Sequence, residues 1–236
     1  MKNQSYIGSE LELFSKAYNW KNYYSKKIKS YLGRTVLEVG AGIGGTTKSL
    51  YRNDQNHWVC LEPDPVLANQ IQLSIDSGHL PQGCEVKLGT LTDLSQKETF
   101  DSIIYIDVLE HIKQDATEIE LAAKHLKTDG TLIILAPAYQ WLFTPFDTAI
   151  GHYRRYNKIR LSAVVPENFR CVKLLYLDSF GLIASLGNRF VLKSKMPNEK
   201  QIMVWDKLMI PISRLLDPLL NYSVGKSVLG IWRKQN

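Results

Sequence analysis

The sequence is poor in cysteine. Its 236 residues contain three, Cys60, Cys84 and Cys171, and none of them forms a Cys-x-x-Cys pair. An odd number of scattered thiols excludes a disulfide-stapled scaffold, and the histidine and cysteine spacings predict no metal site. Cys60 lies in an apolar, strand-like run, which favours a reduced and buried thiol in a cytoplasmic protein.

Long apolar runs are absent as well. No stretch reaches the ~20 apolar residues of a membrane-spanning helix. The first residues, MKNQSYIGSELELF, lack the apolar core of a signal peptide. Hydrophobic residues make up 44% and charged residues 22% of the chain, which is typical of a globular protein. We therefore expect a cytoplasmic protein that folds, at this length, as a single domain.

Acidic residues are scarce in the second part of the chain. From residue 131 onward there are 15 Lys and Arg against 6 Asp and Glu, whereas the first 130 residues carry 14 against 17. An anionic partner would be attracted mainly by the second part. A solvated basic surface explains the same excess equally well.

Apolar segments rich in β-branched residues alternate with helical patterns up to residue 137. Five of these segments are Val36 to Val39, HWVCLEPD, CEVKLG, FDSIIYIDVLEHI and DGTLIILAP, and helices are predicted over residues 10–32 and 65–76. Strands that are apolar throughout, separated by helices, predict a mostly parallel sheet with helices on both faces. Residues 138–168 have the pattern of a long connection, which in a compact domain is usually functional.

A glycine turn follows the first predicted strand. Gly40, Gly42, Gly44 and Gly45 satisfy both a GxGxxG and a GxGxG pattern, and Glu62 ends the second strand 22 residues after the first glycine. Glycines let the backbone approach a ligand between strand one and helix one. A carboxylate at the end of strand two can accept hydrogen bonds from ribose hydroxyls. Both NAD and S-adenosylmethionine (SAM) fit this pattern.

Two acidic positions favour SAM. Glu38 lies inside strand one, where a dinucleotide needs no carboxylate but an ammonium group could be bound directly or through water. Asp107 ends strand four in the segment YIDVLEHI and places an acceptor beside a cationic tail, whereas a pyrophosphate requires donors. Glu110 and His111, in the same segment, are interpreted as caps of the following helix.

The segments VLEVGAGIG, CLEPD, LGTLTDL and IDVLEHI, in this order and spacing, resemble the motifs of class I SAM-dependent methyltransferases. The resemblance implies a Rossmann-like α/β fold with a seven-stranded sheet of order 3-2-1-4-5-7-6 and an antiparallel last strand. It also implies SAM as cofactor, a glycine turn around its aminoacyl part, Glu62 on its ribose, and Thr90 and Leu91 beside its adenine. The full expected cofactor site comprises Glu38, Gly40, Ala41, Gly42, Gly44, Glu62, Pro63, Thr90, Leu91, Asp107 and Val108.

The segment GHYRRY, residues 151–156, lies in the long connection after strand five. A Pro-x-Asp segment followed by Gly-His-x-Arg-Arg-Tyr resembles the corresponding segment in a group of bacterial small-molecule methyltransferases. Because an imidazole titrates near neutral pH, His152 is the favoured general base, with Asp107 as a second candidate catalytic group. The expected acceptor site comprises Trp20, Tyr24, Tyr139, His152, Tyr153, Arg154 and Arg155.

The same loop also has a purely structural interpretation. Asp147 and Arg155 could form an ion pair with Tyr156 packed beneath it, while His152 bonds to backbone. In an extended segment the side chains of His152, Arg154 and Tyr156 would face one way, and those of Tyr153 and Arg155 the other.

The two ends of the chain complete the predicted organisation. We expect a helical lid over residues 1–33, a SAM-binding core over 34–137, an acceptor-side insertion over 138–225 and a final strand over 226–236. The amphipathic segment QIMVWDKLMIPISRLLDPLLNYS, interrupted at Pro211 and Pro218, is expected to cover the site or form a dimer contact. With Lys193, Lys195 and Lys200 beside it, peripheral membrane contact is the alternative. A monomer and a homodimer both remain open.

These observations predict methyl transfer from SAM to an oxygen or nitrogen of a small molecule, whether anionic or linked to a lipid or sugar. An RNA methyltransferase is one alternative, but no RNA-binding module or Pro-Pro-Tyr-type motif is present and no nucleic-acid partner is expected. An NAD-dependent oxidoreductase, allowed by the GxGxxG pattern, is another. A non-catalytic cofactor-binding subunit remains if His152 is structural.

Overall fold

The computed structural model describes residues 9–187 and 198–236. Lys193 and Lys195 therefore lie outside the described residues. The strands are β1 Thr35–Val39, β2 His57–Glu62, β3 Cys84–Leu88, β4 Phe100–Ile106, β5 Leu126–Pro137, β6 Phe169–Leu177 and β7 Ser227–Lys234. The helices are α1 Ser9–Ser15, α2 Tyr18–Ile28, α3 Gly45–Leu50, α4 Pro65–Asp76, α5 Asp115–Lys124, α6 Pro145–Ala149, α7 Lys158–Ala163, α8 Ser179–Gly187, α9 Glu199–Val204 and α10 Ile210–Leu219.

All seven strands form one sheet in the order β3-β2-β1-β4-β5-β7-β6. Strands β1 to β5 are parallel, and β7 is antiparallel to both of its neighbours, β5 and β6. The α/β fold, the strand order and the final antiparallel strand are thus as predicted. The helix predicted over residues 65–76 is also confirmed, with the Asp64 side chain capping it at the backbone N–H groups of Val66 and Leu67.

The topology brings one set of chain segments to a single edge of the sheet. The carboxyl ends of β1, β2 and β4 meet there because parallel strands end on the same side. The antiparallel β7 begins at that edge, with Ser227 paired to Pro137 at the end of β5. Residues just before β7 therefore lie beside the loops that follow β1, β4 and β5.

Apolar residues of the central strands alternate between two buried clusters. Val36 and Ile104 belong to the cluster on the face covered by α2, whereas Leu37 and Ile103 belong to the cluster on the opposite face, which also contains Ile119 of α5. This double coverage explains why the strands are apolar throughout.

The helix predicted over residues 10–32 is wrong in one respect: it is two helices, α1 and α2, followed by a short 3₁₀ turn over Lys29–Tyr31. Ala17, at the start of α2, has no side chain that can cap it. The buried carboxylate of Asp206 supplies the cap, accepting hydrogen bonds from the backbone N–H groups of Asn19 at 3.1 Å and Trp20 at 2.8 Å. The break therefore depends on a residue 186 positions away.

Two other regions differ from the sequence-based expectation. The connection over residues 138–168 contains the short helices α6 and α7. In the C-terminal segment, Pro211 follows a π-helical turn at Trp205–Met209 and stands in the first turn of α10, where a missing N–H is tolerated. Pro218 does not break α10, because only one residue of the helix follows it. None of the described helices is both long and apolar enough to cross a membrane.

Asp217 joins three parts of the chain. Its buried carboxylate accepts hydrogen bonds from the Tyr23 hydroxyl of α2 at 2.7 Å and from the backbone N–H groups of Asp178 and Ser179 at 2.8 and 2.9 Å. Asp178 in turn accepts from the Ser213 hydroxyl and the Trp205 indole N–H. The N-terminal and C-terminal helices are therefore held together by buried carboxylates.

Removing the Asp217 carboxylate should leave three buried donors unpaired. We expect Asp217→Ala to lower the free energy of unfolding by about 3 kcal/mol, and Tyr23→Phe, which removes one of the donors, by about 1 kcal/mol. Urea denaturation followed by circular dichroism measures both. Equal losses in the two variants would show that the backbone donors find other partners.

Candidate active site

A cavity of about 1270 Å³ opens at the carboxyl edge of the sheet. It exceeds the volume of about 300–1,000 Å³ that is usual for one small ligand, so it offers room for a cofactor and an acceptor together. The predicted site residues that line it are Trp20, Tyr24, Gly40, Ala41, Gly42, Glu62, Pro63, Thr90, Asp107, Val108, His152, Tyr153 and Arg155. Those outside its lining are Glu38, Gly44, Leu91, Tyr139 and Arg154.

The glycine turn is closely packed at its first residue. Gly40 has a φ of +67°, and a Cβ atom there would lie 2.8 Å from both Cγ atoms of Val108. Its N–H donates to the Leu61 carbonyl at 2.8 Å, which fixes the turn against β2. Any other residue at position 40 would have a strained backbone and would displace Val108, which lines the cavity.

Glu62 is held at the cavity by backbone donors. Its Oε2 accepts from the Gly42 N–H at 2.7 Å and its Oε1 from the Asp64 N–H at 3.0 Å. Burial raises the pKa of this carboxyl, and the two backbone hydrogen bonds partly offset the rise. Each oxygen keeps acceptor capacity for a further hydrogen bond, as a ribose diol would require.

Glu38 lies beneath the glycine turn. Like Val36, it faces the side of the sheet covered by α2 and α3, and its Oε2 accepts from the Thr47 hydroxyl at 2.6 Å and the Trp58 indole N–H at 2.9 Å. Burial raises its pKa to about 7, against those two hydrogen bonds. Glu38 therefore supports α3 in this structure and is not part of the cavity lining, because strand alternation turns it away.

Asp107 follows β4 and lines the cavity; many protein atoms surround it, but its surface remains accessible from the lumen. Its φ of 55° is unusual for a residue with a side chain, and its backbone N–H is held by the Leu135 carbonyl at 2.8 Å. Its pKa is raised to about 6 by burial, while His152 and Lys226 lower it. A strained carboxylate at this position is typical of a functional site.

The GHYRRY loop is organised by the buried carboxylate of Asp147. Arg155 donates to it twice, from Nε to Oδ1 at 2.7 Å and from Nη2 to Oδ2 at 2.9 Å. The backbone N–H and hydroxyl of Thr144 donate to Oδ2 at 2.8 and 2.9 Å. Although burial opposes ionisation, the hydrogen bonds from His152 and Arg155 hold the pKa of Asp147 well below its usual range.

His152 is the fourth group on this carboxylate. Its Nδ1 lies 3.0 Å from Asp147 Oδ1. The imidazole therefore bonds to a side chain, whereas the structural interpretation of the loop expected a bond to the backbone. An ionised carboxylate only accepts, so Nδ1 carries the proton and Nε2 has the free lone pair. The expected alternation is also wrong: His152, Tyr153 and Arg155 all line the cavity, because the loop is curved around Asp147.

Two predicted acceptor residues lie away from the cavity lining. Arg154 forms an ion pair with Asp115 and donates to the Lys113 carbonyl at 2.6 Å. Tyr139 stacks on Trp141 and Tyr176, with ring centroids 5.4 and 4.8 Å apart. The ion pair of Asp147 with Arg155, which the structural interpretation predicted, is present, and the pair of Arg154 with Asp115 was not predicted.

Glu110, His111 and Lys226 are among the lining residues that were not predicted as site residues. Glu110 and His111, interpreted as helix caps, form a short 3₁₀ turn with Leu109 and face the cavity. Lys226 enters from the segment before β7, with its Nζ 4.7 Å from the centre of the Trp205 ring. Burial lowers its pKa against the pull of Asp178 and Asp107. The sequence did offer one signal for Lys226: it directly precedes the predicted antiparallel last strand, which begins at the edge of the sheet where the cavity lies.

Comparison with known proteins identifies the class to which this fold and cavity belong. A family model described as a methyltransferase domain matches residues 12–179, so the chain belongs to that family. The protein is a SAM-dependent methyltransferase, and SAM is its cofactor. The NAD-dependent alternative is therefore set aside. No curated protein matches the chain.

Solved structures share the fold at low sequence identity. Coclaurine N-methyltransferase bound to N-methylheliamine and S-adenosylhomocysteine (SAH) is 16% identical with a TM-score of 0.62, over 92% of this chain and 72% of that one. A SAM-dependent methyltransferase from Clostridium acetobutylicum is 10% identical with a TM-score of 0.61, over 96% and 98%. The [4+2]-cyclase SpnF is 12% identical with a TM-score of 0.64, over 97% and 95%.

The packing at Gly40 predicts a local effect on cofactor binding. We expect Gly40→Ala to weaken SAH binding by about tenfold or more, since overpacking by one methyl group costs about 1–3 kcal/mol. Gly78→Ala is the matched control, because Gly78 has a φ of +75° but nothing within 4 Å of a Cβ atom. Isothermal titration with SAH measures both, and equal weakening would refute a specific role for the turn.

The raised pKa of Glu38 predicts a pH-dependent stability. The folded protein keeps a proton up to about pH 7 that the unfolded chain releases near the ordinary value of 4.5, so Glu38 makes unfolding easier as the pH rises through this window. Glu38→Gln removes the effect. Its stability relative to the unchanged protein should improve by about 2 kcal/mol between pH 5 and pH 8. Urea denaturation without cofactor checks this, with the exposed Glu167→Gln correcting for the loss of one charge; a constant difference would contradict it.

Proposed function

We propose that this methyltransferase transfers the methyl group of SAM to an oxygen or nitrogen of a small-molecule acceptor at the His152 end of the cavity. One observation carries the proposal: His152 lines the cavity while its Nδ1 is fixed by the buried Asp147. A fixed imidazole whose second nitrogen is available is the arrangement that general-base chemistry requires.

The cofactor end of the cavity fits SAM. Gly40 and Gly42 present backbone where a side chain would fill the space, and Glu62 offers acceptors to a ribose. The glycine turn would hold the aminoacyl part, with Thr90 beside the adenine. When bound, SAM supplies a methyl group on a positively charged sulfur, and this methyl group is readily transferred to a nucleophile.

The work of the chain is to orient the acceptor and to remove its proton. Asp147 keeps the proton of His152 on Nδ1, so Nε2 takes the proton from the acceptor's O–H or N–H as the new bond to carbon forms and the bond from carbon to sulfur breaks. In-line alignment of the two reactants supplies much of the acceleration. The aromatic side chains of Trp20, Tyr24 and Trp205 line the same cavity and would reduce the access of water to a bound acceptor.

A small acceptor is favoured over RNA by the charges in the loop. Arg154 and Arg155, which give the GHYRRY segment its positive charge, are neutralised by Asp115 and Asp147. Lys226 stands inside the cavity, where it would bind one anionic group of an acceptor. The coclaurine N-methyltransferase structure, with its bound N-methylheliamine and SAH, offers a precedent for a small acceptor on this fold.

Substitution of His152 tests the proposal. Acceptors are first found by screening small alcohols, phenols and amines for SAH formation from SAM. His152→Gln should then lower kcat by about 10²–10⁴-fold, because the proton acceptor is lost while SAH binding by titration stays the same. His79→Gln, on the exposed surface, is the control.

Activity of His152→Gln within a few-fold of the unchanged protein would overturn the assignment of the base. Methyl transfer to RNA, with a steep decline in activity as the salt concentration rises, would overturn the small acceptor.

A further inference from the structure

Glu110 has an environment that the proposed function does not explain. Its side chain is completely buried, and among the described residues no other residue donates a hydrogen bond to either carboxylate oxygen. The distance from His152 Nε2 to Glu110 Oε1 is 3.8 Å, which is too long for a hydrogen bond. A buried polar group without a partner is destabilising, and native proteins keep one where a ligand completes it.

Two imidazoles face this carboxylate. One donor atom each from Glu110, His111 and His152 lies within 4.8 Å of the other two, and the two imidazole rings meet edge to face with centroids 4.5 Å apart. Donors that share an ion with bonds of about 2.0–2.2 Å are separated by about 3–3.5 Å, so side-chain movements of about 1 Å would bring all three onto one centre.

The second ring nitrogen of each histidine is held as in metal sites. His152 Nδ1 bonds to the Asp147 carboxylate, and the His111 ring bonds to the backbone carbonyl of Ile150. A carboxylate or carbonyl behind a metal-ligating histidine fixes its tautomer and points the other nitrogen at the ion. Both histidines therefore already have the outer partners that such ligands require.

The charges nearby are mixed. Asp107 adds a negative charge close to Glu110, and Lys226 adds a positive charge close to Asp107. Arg155 is neutralised by Asp147. Two neutral imidazoles with one carboxylate form a donor set that prefers divalent transition metals such as zinc, cobalt or iron and leaves coordination positions open.

We propose that Glu110, His111 and His152 bind one divalent transition-metal ion at the acceptor end of the cavity. Whether the ion binds does not depend on the proposed function. The role of the ion in methyl transfer rests on that function. There it would hold the acceptor oxygen or nitrogen and make its proton easier to remove. With the ion bound, the His152 Nε2 lone pair would be a ligand, and the acceptor's proton would pass to Asp107, the second candidate catalytic group in the cavity.

Metal binding is tested on the purified chain after treatment with a chelator. Isothermal titration with Zn²⁺ should show one ion bound, and Co²⁺ should give visible absorption bands of a protein-bound ion. Glu110→Gln and His111→Gln should each weaken Zn²⁺ binding by about 100-fold or more, since even outer-shell changes cost about 10–100-fold. His79→Gln should bind as the unchanged chain does. Unaltered SAH binding shows that the variants are folded.

Failure of the site and failure of the function give different results. No Zn²⁺ or Co²⁺ binding by the unchanged chain, or binding that Glu110→Gln and His111→Gln leave intact, overturns the metal site; methyl transfer that persists in chelator then leaves His152 as the base. Zn²⁺ binding that depends on these residues, in a protein that methylates no small acceptor, supports the site and contradicts the proposed function.

Discussion

The acceptor side of the cavity depends on one buried carboxylate. Asp147 accepts hydrogen bonds from Thr144, His152 and Arg155, and in doing so it closes the first turn of α6, fixes an imidazole and neutralises a guanidinium. A buried carboxylate is stable only when it is paired and fully hydrogen-bonded, so these partners are required together. The curvature of the GHYRRY loop, and with it the direction in which His152 faces, follows from that requirement.

The fold and the cofactor end of the site could be predicted because they depend on local pattern. Strands that are apolar throughout indicate a covered parallel sheet. The spacing from Gly40 to Glu62 spans the glycine turn, one helix and one strand, so Glu62 reaches the glycine turn. Glu38 shows the limit of that reasoning: the same pattern placed it in the right strand, but the alternation of side chains turned it under α3.

The acceptor end could not be predicted in the same way, because its residues meet only through tertiary structure. The sequence allowed Arg155 either to bind an anion or to pair with Asp147, and it indicated no partner for Arg154; in the fold Asp147 pairs with Arg155, and Asp115 pairs with Arg154. Lys226 reaches the cavity because β7 runs antiparallel, which reverses which end of that strand faces the ligand. Glu110, His111 and His152 combine two sequence-adjacent residues with one about forty positions later, a spacing that matches no short metal-binding motif.

The cap that Asp206 provides for α2 has a consequence for the order in which the protein matures. Trp20 and Trp205 line the same cavity, yet the carboxylate that caps α2 belongs to Asp206, 186 residues after Trp20. During synthesis from the N-terminus, the sheet strands β1 to β5 leave the ribosome long before Asp206 does. The nascent chain can therefore build the part of the cofactor site formed by β1 to β5 early, but the cap of α2 forms only after Asp206 has been made.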